Sequence, residues 1–413
     1  MAAQCLGLGY NPPMGLLSPL TTPPPTANAG ILPAQTILAM LRRGEIRVAA
    51  GYQDVELEGG LAQIQPASID LRLGHWAYPM DTSFLPGATL SVWEKMRRLD
   101  SEFEKFRIDL RAGATLEKGR VYVIPLQESI ALPADTAAFA NPKSSTGRLD
   151  ILTRLIADGS TIFDQVQKGY SGLLYAEVTA RSFSVVVRSG DRLNQLRFRH
   201  TQGTAPAVIA AEEWAQLLAG RMIGYLGHNS PQSLPNEECG KLRFTVDLKG
   251  TGAAGEVVGW RARKHCHRVD LARRDYDPLD YWEPIHAHSS HSLILDPDEF
   301  YILMTREAVA VPPGFAAEMV PYDTRAGEFR VHYAGFFDPG FGWNAASQQA
   351  NGSKGVLEVR SHEVPFLLEH GQTVGWLLYE RMAEPPEVLY GQAGQSNYQH
   401  QQLKLGKQFR APA

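Results

Sequence analysis

The chain repeats one strand pattern, and this repeat constrains its fold more than any other feature. Residues 121–133 (VYVIPLQESIALP) match residues 300–312 (FYILMTREAVAVP), an offset of 179. Two later segments, YAEV against VLEV and SGDRL against HGQTV, match at an offset of 181. Solenoid units repeat every ~20–50 residues, so a period this long indicates a duplicated domain.

Length and composition predict a two-domain cytoplasmic protein. A chain of 413 residues suggests two or three domains, and the repeat favours two. The formal net charge of −4 argues against a general nucleic-acid-binding surface. Cys5, Cys239 and Cys266 are scattered and odd in number, as expected in a reducing cytosol. No apolar run approaches the ~18 residues of a membrane helix, so no membrane association is expected.

Breaker residues and polar segments predict the domain boundaries. We expect a Pro-rich N-terminal tail over residues 1–29 and a first domain over 30–226. The segment 227–240 (GHNSPQSLPNEECG) is the predicted linker. The second domain covers 241–413 and ends in a polar, Gln-rich tail.

Most of the chain has the composition of β-strands. Runs such as VYVIPL and FSVVV contain branched and aromatic residues and are separated by Gly, Pro and Asp. Short helices are expected near residues 37–44, 93–98 and 210–218. Strands do not alternate with long helices, which disfavours a parallel α/β fold. The sequence therefore predicts a mainly β protein.

The segment 142–148 (PKSSTGR) is the sharpest local motif. Hydroxyls and backbone N–H groups of Ser144 and Ser145, flanked by Lys143 and Arg148, would suit a phosphate. The alternative is a plain helix N-cap made by one of the serines. The second copy has PYDTRAG at this position, with Asp in place of the first serine and Gly in place of Arg. A cap tolerates Asp but a phosphate cradle does not, so we expect the copies to differ in role.

A glutamate stands in the middle of an apolar strand in each copy, at Glu177 and Glu358. A solvent-facing strand position is the simplest explanation for either residue alone. The occurrence of a glutamate at this position in both copies instead favours a side chain that faces a pocket. Burial would raise the pKa of such a carboxyl and allow it to carry protons near neutral pH.

Residues 332–341 (HYAGFFDPGF) predict a hairpin with Asp-Pro-Gly in its turn. Aromatic side chains beside an exposed backbone suit a planar base, whereas a plain turn with a hydrophobic base is the alternative. His286, His288 and His291 have no spacing that closes a tetrahedral site, so we expect no metal there.

In combination these motifs resemble the dCTP deaminase family of the dUTPase-like superfamily. The resemblance rests on QPASIDLRLG (65–74), PKSSTGR, GYSG (169–172) followed by Glu177, and HYAGFFDPGF. Residues 30–46 (GILPAQTILAMLRRGEI) resemble the family's N-terminal helix. The double-length chain is similar to a fused bacterial form of the family.

The resemblance implies two tandem dUTPase-like domains, each a distorted β-barrel or jelly-roll. It implies a homo-oligomer with trimeric or pseudo-threefold packing and active sites shared between subunits. The expected activity is hydrolysis of dCTP to dUTP and ammonia, with Mg²⁺ carried by the triphosphate. No zinc is expected, because the HxE…PCxxC signature of zinc deaminases is absent.

The resemblance also implies roles for individual residues. The base would be Glu358 or Glu177, assisted by Ser144 and Arg148. The residues assigned to substrate binding are Lys143, Ser145, His332, Ala334, Asp338, Tyr390, Tyr398 and Gln401.

Each half departs from the family pattern. Lys143 replaces an arginine, Asn397 replaces a lysine of the tail, and Gln167 stands where the first hairpin should have Asp. The second half lacks the SSxxR motif. We therefore expect a composite site in which the first half supplies the phosphate loop and the second supplies the hairpin, Glu358 and the tail. In the alternative interpretation Glu177 is the base, because its spacing from the GYSG segment is closer to the spacing found in the family.

Two other functions stay open at this point. The protein could be a dUTP pyrophosphatase, or combine that activity with deamination, because the superfamily shares the fold. It could also be a non-catalytic nucleotide-binding regulatory protein, because each half carries an incomplete motif.

Overall fold

The computed structural model describes residues 29–49, 52, 63–201, 209–226, 238–253, 255–321, 329–331, 335–361, 363–392 and 403–411. Outside this part of the chain lie nearly all of the predicted N-terminal tail and residues 227–237 of the predicted linker. The predicted site residues that also lie outside it are His332, Ala334, Tyr398 and Gln401.

The described chain is mainly β, as the sequence predicts. The strands before residue 202 are β1 (Gly30–Ile31), β2 (Ile46–Val48), β3 (Ile64–Gln65), β4 (Ser68–Arg72), β5 (Trp76–Met80), β6 (Ile108–Asp109), β7 (Ala114–Leu116), β8 (Val121–Ala131), β9 (Thr136–Pro142), β10 (Ile151–Ala157), β11 (Gln165–Val166), β12 (Ser171–Ala180), β13 (Val185–Val187) and β14 (Arg192–His200).

The strands after residue 208 are β15 (Gly224–Leu226), β16 (Lys241–Thr245), β17 (Val257–Ala262), β18 (Val269–Asp270), β19 (Trp282–His286), β20 (Ser292–Leu295), β21 (Phe300–Val309), β22 (Phe315–Pro321), β23 (Phe329–Val331), β24 (Phe336–Phe337), β25 (Trp343–Asn344), β26 (Gln349–Ala350), β27 (Ser353–Ser361), β28 (Phe366–Glu369) and β29 (Thr373–Arg381).

The two halves pair their long strands in the same register. In the first half β12 lies between β10 and β8, and Glu177 pairs with Val123. In the second half β27 lies between β23 and β21, and Glu358 pairs with Ile302. The residue numbers differ by 358 − 177 = 181 and 302 − 123 = 179, which are the offsets of the sequence repeat. The two glutamates therefore hold equivalent positions in equivalent sheets.

A second sheet in each half carries the segments that surround the site. In the first half β14 lies between β9 and β4. In the second half β29 lies between β16 and β22, and β24 pairs with the outer edge of β22. The phosphate-loop motif follows directly after β9, and the predicted hairpin contains β24.

The helices are short: α1 (Ala34–Arg42), α2 (Val92–Leu99), α3 (Ser144–Gly147) and α4 (Ala211–Ala219), with 3₁₀ turns at Phe103–Phe106 and Pro278–Asp280. Three of them confirm the helices expected from amphipathic spacing. Ser91 and Glu94 form a capping box that begins α2. Among the described residues, no helix has the length and apolar character needed to cross a membrane.

Helix α4 packs on the second half, although the sequence-based boundary placed residues up to 226 in the first domain. The Trp214 indole is fully buried, and its ring centroid lies 5.6 Å from that of Tyr379 on β29. Strand β15, which follows α4, pairs with β21. Amphipathic spacing shows that a helix buries one face, but the neighbouring core decides which domain it joins.

The halves share a hydrophobic core. One continuous cluster of buried side chains contains residues of both halves, including Phe183 from the first and Trp282 from the second, whose ring centroids are 5.4 Å apart. Strand β18 of the second half pairs in parallel with β13 of the first. A buried ion pair joins Arg360 to Asp150, with Nε 3.2 Å from Oδ1. The boundary between the halves is therefore an ordered interface.

Candidate active site

A cavity of about 610 Å³ lies at this interface and is lined by both halves. The first half contributes residues 142–146 and 148 of the phosphate-loop motif, together with residues of β4 and β14. The second half contributes the hairpin, two residues of β27 and one of β22, and three other segments that contain Leu271 and Arg274, Tyr390, and Lys407 and Gln408. The charged residues of the lining are Asp70, Lys143, Arg148, Asp191, Arg192, Arg274, Asp338, Glu358 and Lys407.

The phosphate-loop motif forms the short helix α3. Lys143 is its N-cap residue and makes no side-chain capping bond, so the serines do not serve as the plain N-cap of the alternative interpretation. The Lys143 ammonium is paired with the buried Asp70 carboxylate on β4. Ser144 and Ser145 both line the cavity. Asp70 belongs to the segment QPASIDLRLG, but the sequence did not predict that it pairs with Lys143.

Glu358 projects from β27 into the cavity and is 4% exposed. Its Oε1 lies 3.9 Å from Nε of Arg148, which follows α3. Burial raises the pKa of Glu358 to about 8, and the nearby Arg148 charge offsets only part of this effect. Arg148 also donates a hydrogen bond from Nη1 to the Lys404 carbonyl, 2.8 Å long. A carboxyl with this pKa exchanges its proton near neutral pH.

Glu177 holds the equivalent strand position but has a different environment. Its carboxylate is buried and accepts hydrogen bonds from Arg154 on β10, with Nε 3.0 Å from Oε1. The Arg154 guanidinium in turn lies 3.8 Å from the centroid of the Phe163 ring. Glu177 is not part of the cavity lining. The structure thus separates the two glutamates that the sequence left as alternatives.

The predicted hairpin is held in place by an arginine of the first half. Arg197 on β14 is buried and donates hydrogen bonds to the Ala317 carbonyl and to Oδ1 of Asp338, both 3.1 Å long. Its guanidinium also lies 4.0 Å from the centroid of the Phe336 ring. Burial raises the pKa of Asp338, and Arg197 opposes that rise. No sequence pattern points to Arg197, since its contacts depend on how the halves dock.

The turn of the hairpin requires a glycine. Gly340 has a φ of +97°, and a Cβ atom there would lie 2.7 Å from the backbone nitrogen of Tyr390. That nitrogen donates a 2.7 Å hydrogen bond to the Pro339 carbonyl, and the Tyr390 ring contacts Phe341 at a centroid distance of 5.8 Å. Tyr390 lines the cavity, as predicted for a residue of the closing tail.

The end of the chain, residues 403–411, also reaches the cavity. Leu405 and Phe409 are buried in the shared core. Lys407 and Gln408 line the cavity, although no motif singled them out. In the sequence this segment shows only a basic residue, Lys407, close to an aromatic residue, Phe409. This combination is too common to predict a site.

The structure thus brings together most of the predicted residues that it describes. Those that line the cavity are Lys143, Ser144, Ser145, Arg148, Asp338, Glu358 and Tyr390, and Glu177 lies elsewhere. In the described ranges, no group of three or more His, Cys, Asp or Glu side chains is arranged to hold a metal. His288 and His291 bond within their own loop, as in the 2.8 Å contact of His288 Nδ1 with Ser290 Oγ, and His286 Nδ1 lies 2.8 Å from the Gly255 carbonyl.

Comparison with known proteins matches nearly the whole chain to one family. A model described as the 2′-deoxycytidine 5′-triphosphate deaminase N-terminal domain matches residues 28–202, and the C-terminal domain model matches residues 227–409. The crystal structure of 2′-deoxycytidine 5′-triphosphate deaminase from Agrobacterium tumefaciens is 46% identical, with a TM-score of 0.75. The match covers 87% of this chain and 100% of that one.

Shorter relatives are also similar. A dCTP deaminase of Haloarcula marismortui is 26% identical over 204 residues, which are 49% of this chain and 93% of the relative. A protein of Nocardioides sp. named "dCTP deaminase, dUMP-forming" is 30% identical over 128 residues, which are 30% of this chain and 62% of that protein.

Proposed function

Because the chain belongs to the dCTP deaminase family, we propose that it hydrolyses the C4 amino group of dCTP to give dUTP and ammonia. The product would supply pyrimidine deoxynucleotide synthesis. One observation carries the proposal: Glu358, with a pKa of about 8, lies 3.9 Å from Arg148 in a cavity built from both halves. A proton carrier and a cation thus lie close together in a nucleotide-sized cavity.

In this proposal Glu358 is the general base. Its carboxylate accepts a proton from water as the oxygen attacks C4, and it delivers that proton to N3 of the cytosine ring. A second proton passes from the new hydroxyl to the amino group, the C4–N4 bond breaks and ammonia leaves. A C4 carbonyl and an N3–H remain, so atoms and charge balance without zinc.

The remaining residues bind the substrate and orient the water. Arg148 and the Ser144 hydroxyl, which both line the cavity, orient the water toward C4. Lys143 and Ser145 contact phosphates, and Mg²⁺ arrives as part of the Mg–dCTP substrate. The hairpin around Asp338 receives the base, since aromatic rings and main-chain groups meet there.

The test is turnover by pure, chelator-treated protein supplied with dCTP and Mg²⁺. We expect ammonia to be released, and chromatography of the nucleotides should show dUTP. The absence of both deamination and nucleotide binding would overturn the proposal. A melting temperature that rises with dCTP, without product after hours, would instead support a non-catalytic nucleotide-binding protein.

A second candidate is deamination coupled to hydrolysis of dUTP. The observation that favours it is similarity to relatives whose names include "dUMP-forming". The same chromatogram separates the cases, because dUMP with pyrophosphate appears only if the phosphate chain is also cleaved.

We further propose that the chain arose by duplication of one domain and assembles as a homo-oligomer. The equal strand registers around Glu177 and Glu358 support the duplication. Light scattering coupled to size-exclusion chromatography tests the assembly, and a mass equal to one chain would contradict it.

A further inference from the structure

The second half carries an exposed apolar edge strand, β28. It pairs with β20 in a two-stranded sheet, and its other edge has no neighbour among the described strands. Leu367 of β28 lies opposite Ile294 of β20, and these side chains are 54% and 58% exposed. Val364, just before β28, is 49% exposed. An apolar edge of this kind is a site at which a strand of another chain can add.

The backbone of Leu367 faces the open edge. The His370 nitrogen donates a 2.9 Å hydrogen bond to the His291 carbonyl, so these two residues form a hydrogen-bonded pair. Such pairs alternate with non-hydrogen-bonded pairs along an antiparallel ladder. Leu367 and Ile294 lie three steps along this ladder and form a non-hydrogen-bonded pair. The N–H and C=O groups of Leu367 therefore point away from β20, toward the edge that a new strand would join.

The first half shows that this strand position takes a partner strand. Val186 of β13 is equivalent to Leu367 at the repeat offset of 181, and it pairs with Thr115 of β7 as Leu367 pairs with Ile294. The outer edge of β13 is covered by β18 of the second half, and the Leu271 nitrogen donates to the Val186 carbonyl (3.1 Å). The same edge thus already joins the two halves within one chain.

The first half has no counterpart of β18 that could cover β28. Strand β18 lies in the connection between β17 and β19, whereas the equivalent connection between β5 and β6, residues 81–107, forms α2 and a 3₁₀ turn and contains no strand. The β18 of another chain does not suit β28 either. Its Asp270 is paired with Arg188 of the first half, with Oδ1 2.6 Å from Nη1, and Glu369 stands at the position equivalent to Arg188. Like charges at adjacent strand positions are destabilising.

The strand that does suit β28 is β28 of a second copy. When two such strands run antiparallel about Leu367, each Leu367 lies opposite the other, as a twofold axis requires. Glu369 then lies opposite Pro365, so no two glutamates oppose each other. Ile294 of each copy extends the apolar stripe on both sides of the central leucines. The strand is therefore complementary to itself in the antiparallel direction.

We propose that two copies of the chain pair through β28, antiparallel about Leu367, into a four-stranded sheet with β20 at each outer edge. The inference rests on the homo-oligomer of the proposed function and names the surface that forms it. Burial of Leu367 and Ile294 against their counterparts removes apolar area from water and stabilises the dimer. Neither residue lines the cavity, so changes at this surface leave the residues of the site in place.

The first test measures the dimer Kd by sedimentation velocity over a range of protein concentrations. Leu367→Lys and Ile294→Lys should each raise this Kd about 100-fold or more, because the dimer would bury ammonium groups without partners. Phe106→Lys is the matched control, since Phe106 is also apolar and 62% exposed but lies in a 3₁₀ turn of the first half. Melting temperatures of the variants identify any loss of folding.

The second test fixes the register by cross-linking. Cys5, Cys239 and Cys266 are first replaced by serine, and Leu367→Cys is added. Residues directly opposite in an antiparallel pair have Cα atoms about 4.5–5.5 Å apart, a distance that a disulfide spans. Oxidation should therefore give a covalent dimer on a non-reducing gel, whereas Phe106→Cys in the same background should stay a single chain.

The possible failures are distinct. A wild-type mass of one chain at all concentrations would overturn this inference together with the proposed assembly. An oligomer whose Kd is unchanged by Leu367→Lys, with no cross-link through Leu367→Cys, would overturn this inference alone. A single-chain wild type that dimerises once residues 1–28 are deleted would assign the edge to the N-terminal tail instead. Turnover of dCTP is a separate readout, so the proposed deamination stands or falls independently.

Discussion

Two glutamates at one strand position differ because of the residues opposite and around them. Arg154 neutralises Glu177, and Phe163 covers the arginine. Glu358 faces a cavity instead, with Arg148 at 3.9 Å. Burial raises the pKa of Glu358 to about 8, so this carboxyl can accept a proton near neutral pH, whereas Glu177 holds the Arg154 side chain outside the cavity. The position in the sheet is therefore not sufficient to make a base.

Glu358→Gln should lower kcat by at least about 10²–10⁴-fold and change the dCTP Kd little, because the amide keeps the shape and cannot accept the proton. Single-turnover kinetics and calorimetry measure the two effects. Glu177→Gln is the matched control, and we expect unchanged kcat with a lower melting temperature, since Arg154 loses its carboxylate. An essential Glu177 with a dispensable Glu358 would assign catalysis to the first half.

The pH dependence of kcat/KM should follow the ionisation of Glu358. Its pKa is raised to about 8, so the active carboxylate is the minor form at neutral pH and grows as pH rises. We expect kcat/KM to rise about tenfold per pH unit below 8 and to level off above it. Arg148→Met removes a charge that lowers this pKa, so the midpoint in that variant should move to higher pH. A flat profile between pH 6 and 9 would argue against Glu358 as the base.

At the scale of elements, the hairpin of the second half depends on a strand of the first. Arg197 on β14 ties down the hairpin through Asp338 and the Ala317 carbonyl. Hydrogen bonds from a rigid sheet thus fix a segment that has only a two-residue strand, β24, of its own.

Arg197→Met should destabilise the protein by about 3–5 kcal/mol, because it leaves the buried Asp338 without its cation. Denaturant unfolding monitored by circular dichroism measures the change. Adding Asp338→Asn should restore part of the loss, since the remaining buried group is then neutral. Arg120→Met is the control: Arg120 is exposed and pairs with the exposed Asp81, so about 0–1 kcal/mol is expected. Equal losses for both arginines would contradict the role of Arg197.

Local patterns in the sequence predicted the strands and helices better than they predicted which of these elements pack together. Alternating and branched residues predicted the long strands, and amphipathic spacing predicted α1, α2 and α4. The repeat offsets also anticipated the shared register. The packing of α4 on the second half could not be predicted, because a buried helix face fits either core. For the same reason the sequence did not predict that Arg197 and Lys407 belong to the site, because each residue acquires its surroundings only when the two halves dock.

At the scale of the whole molecule, the two halves are joined by one core and by the buried pair of Asp150 and Arg360. These residues stand two positions after Arg148 and Glu358 respectively, so the pair fastens together the two segments that carry the central residues of the cavity. The distance between Arg148 and Glu358 is therefore set by the interface between the halves.

This placement has a genetic consequence. In an enzyme whose sites form between subunits, two different inactive alleles can complement each other, because mixed oligomers contain some sites with neither lesion. Here Arg148 and Glu358 meet within one chain, so every site carries whichever lesion its own chain has. Coexpression of Arg148→Met and Glu358→Gln chains should give no more activity than either alone, measured as dCTP turnover in the purified mixture. Recovery toward a quarter of wild-type activity would show that the halves of neighbouring chains exchange.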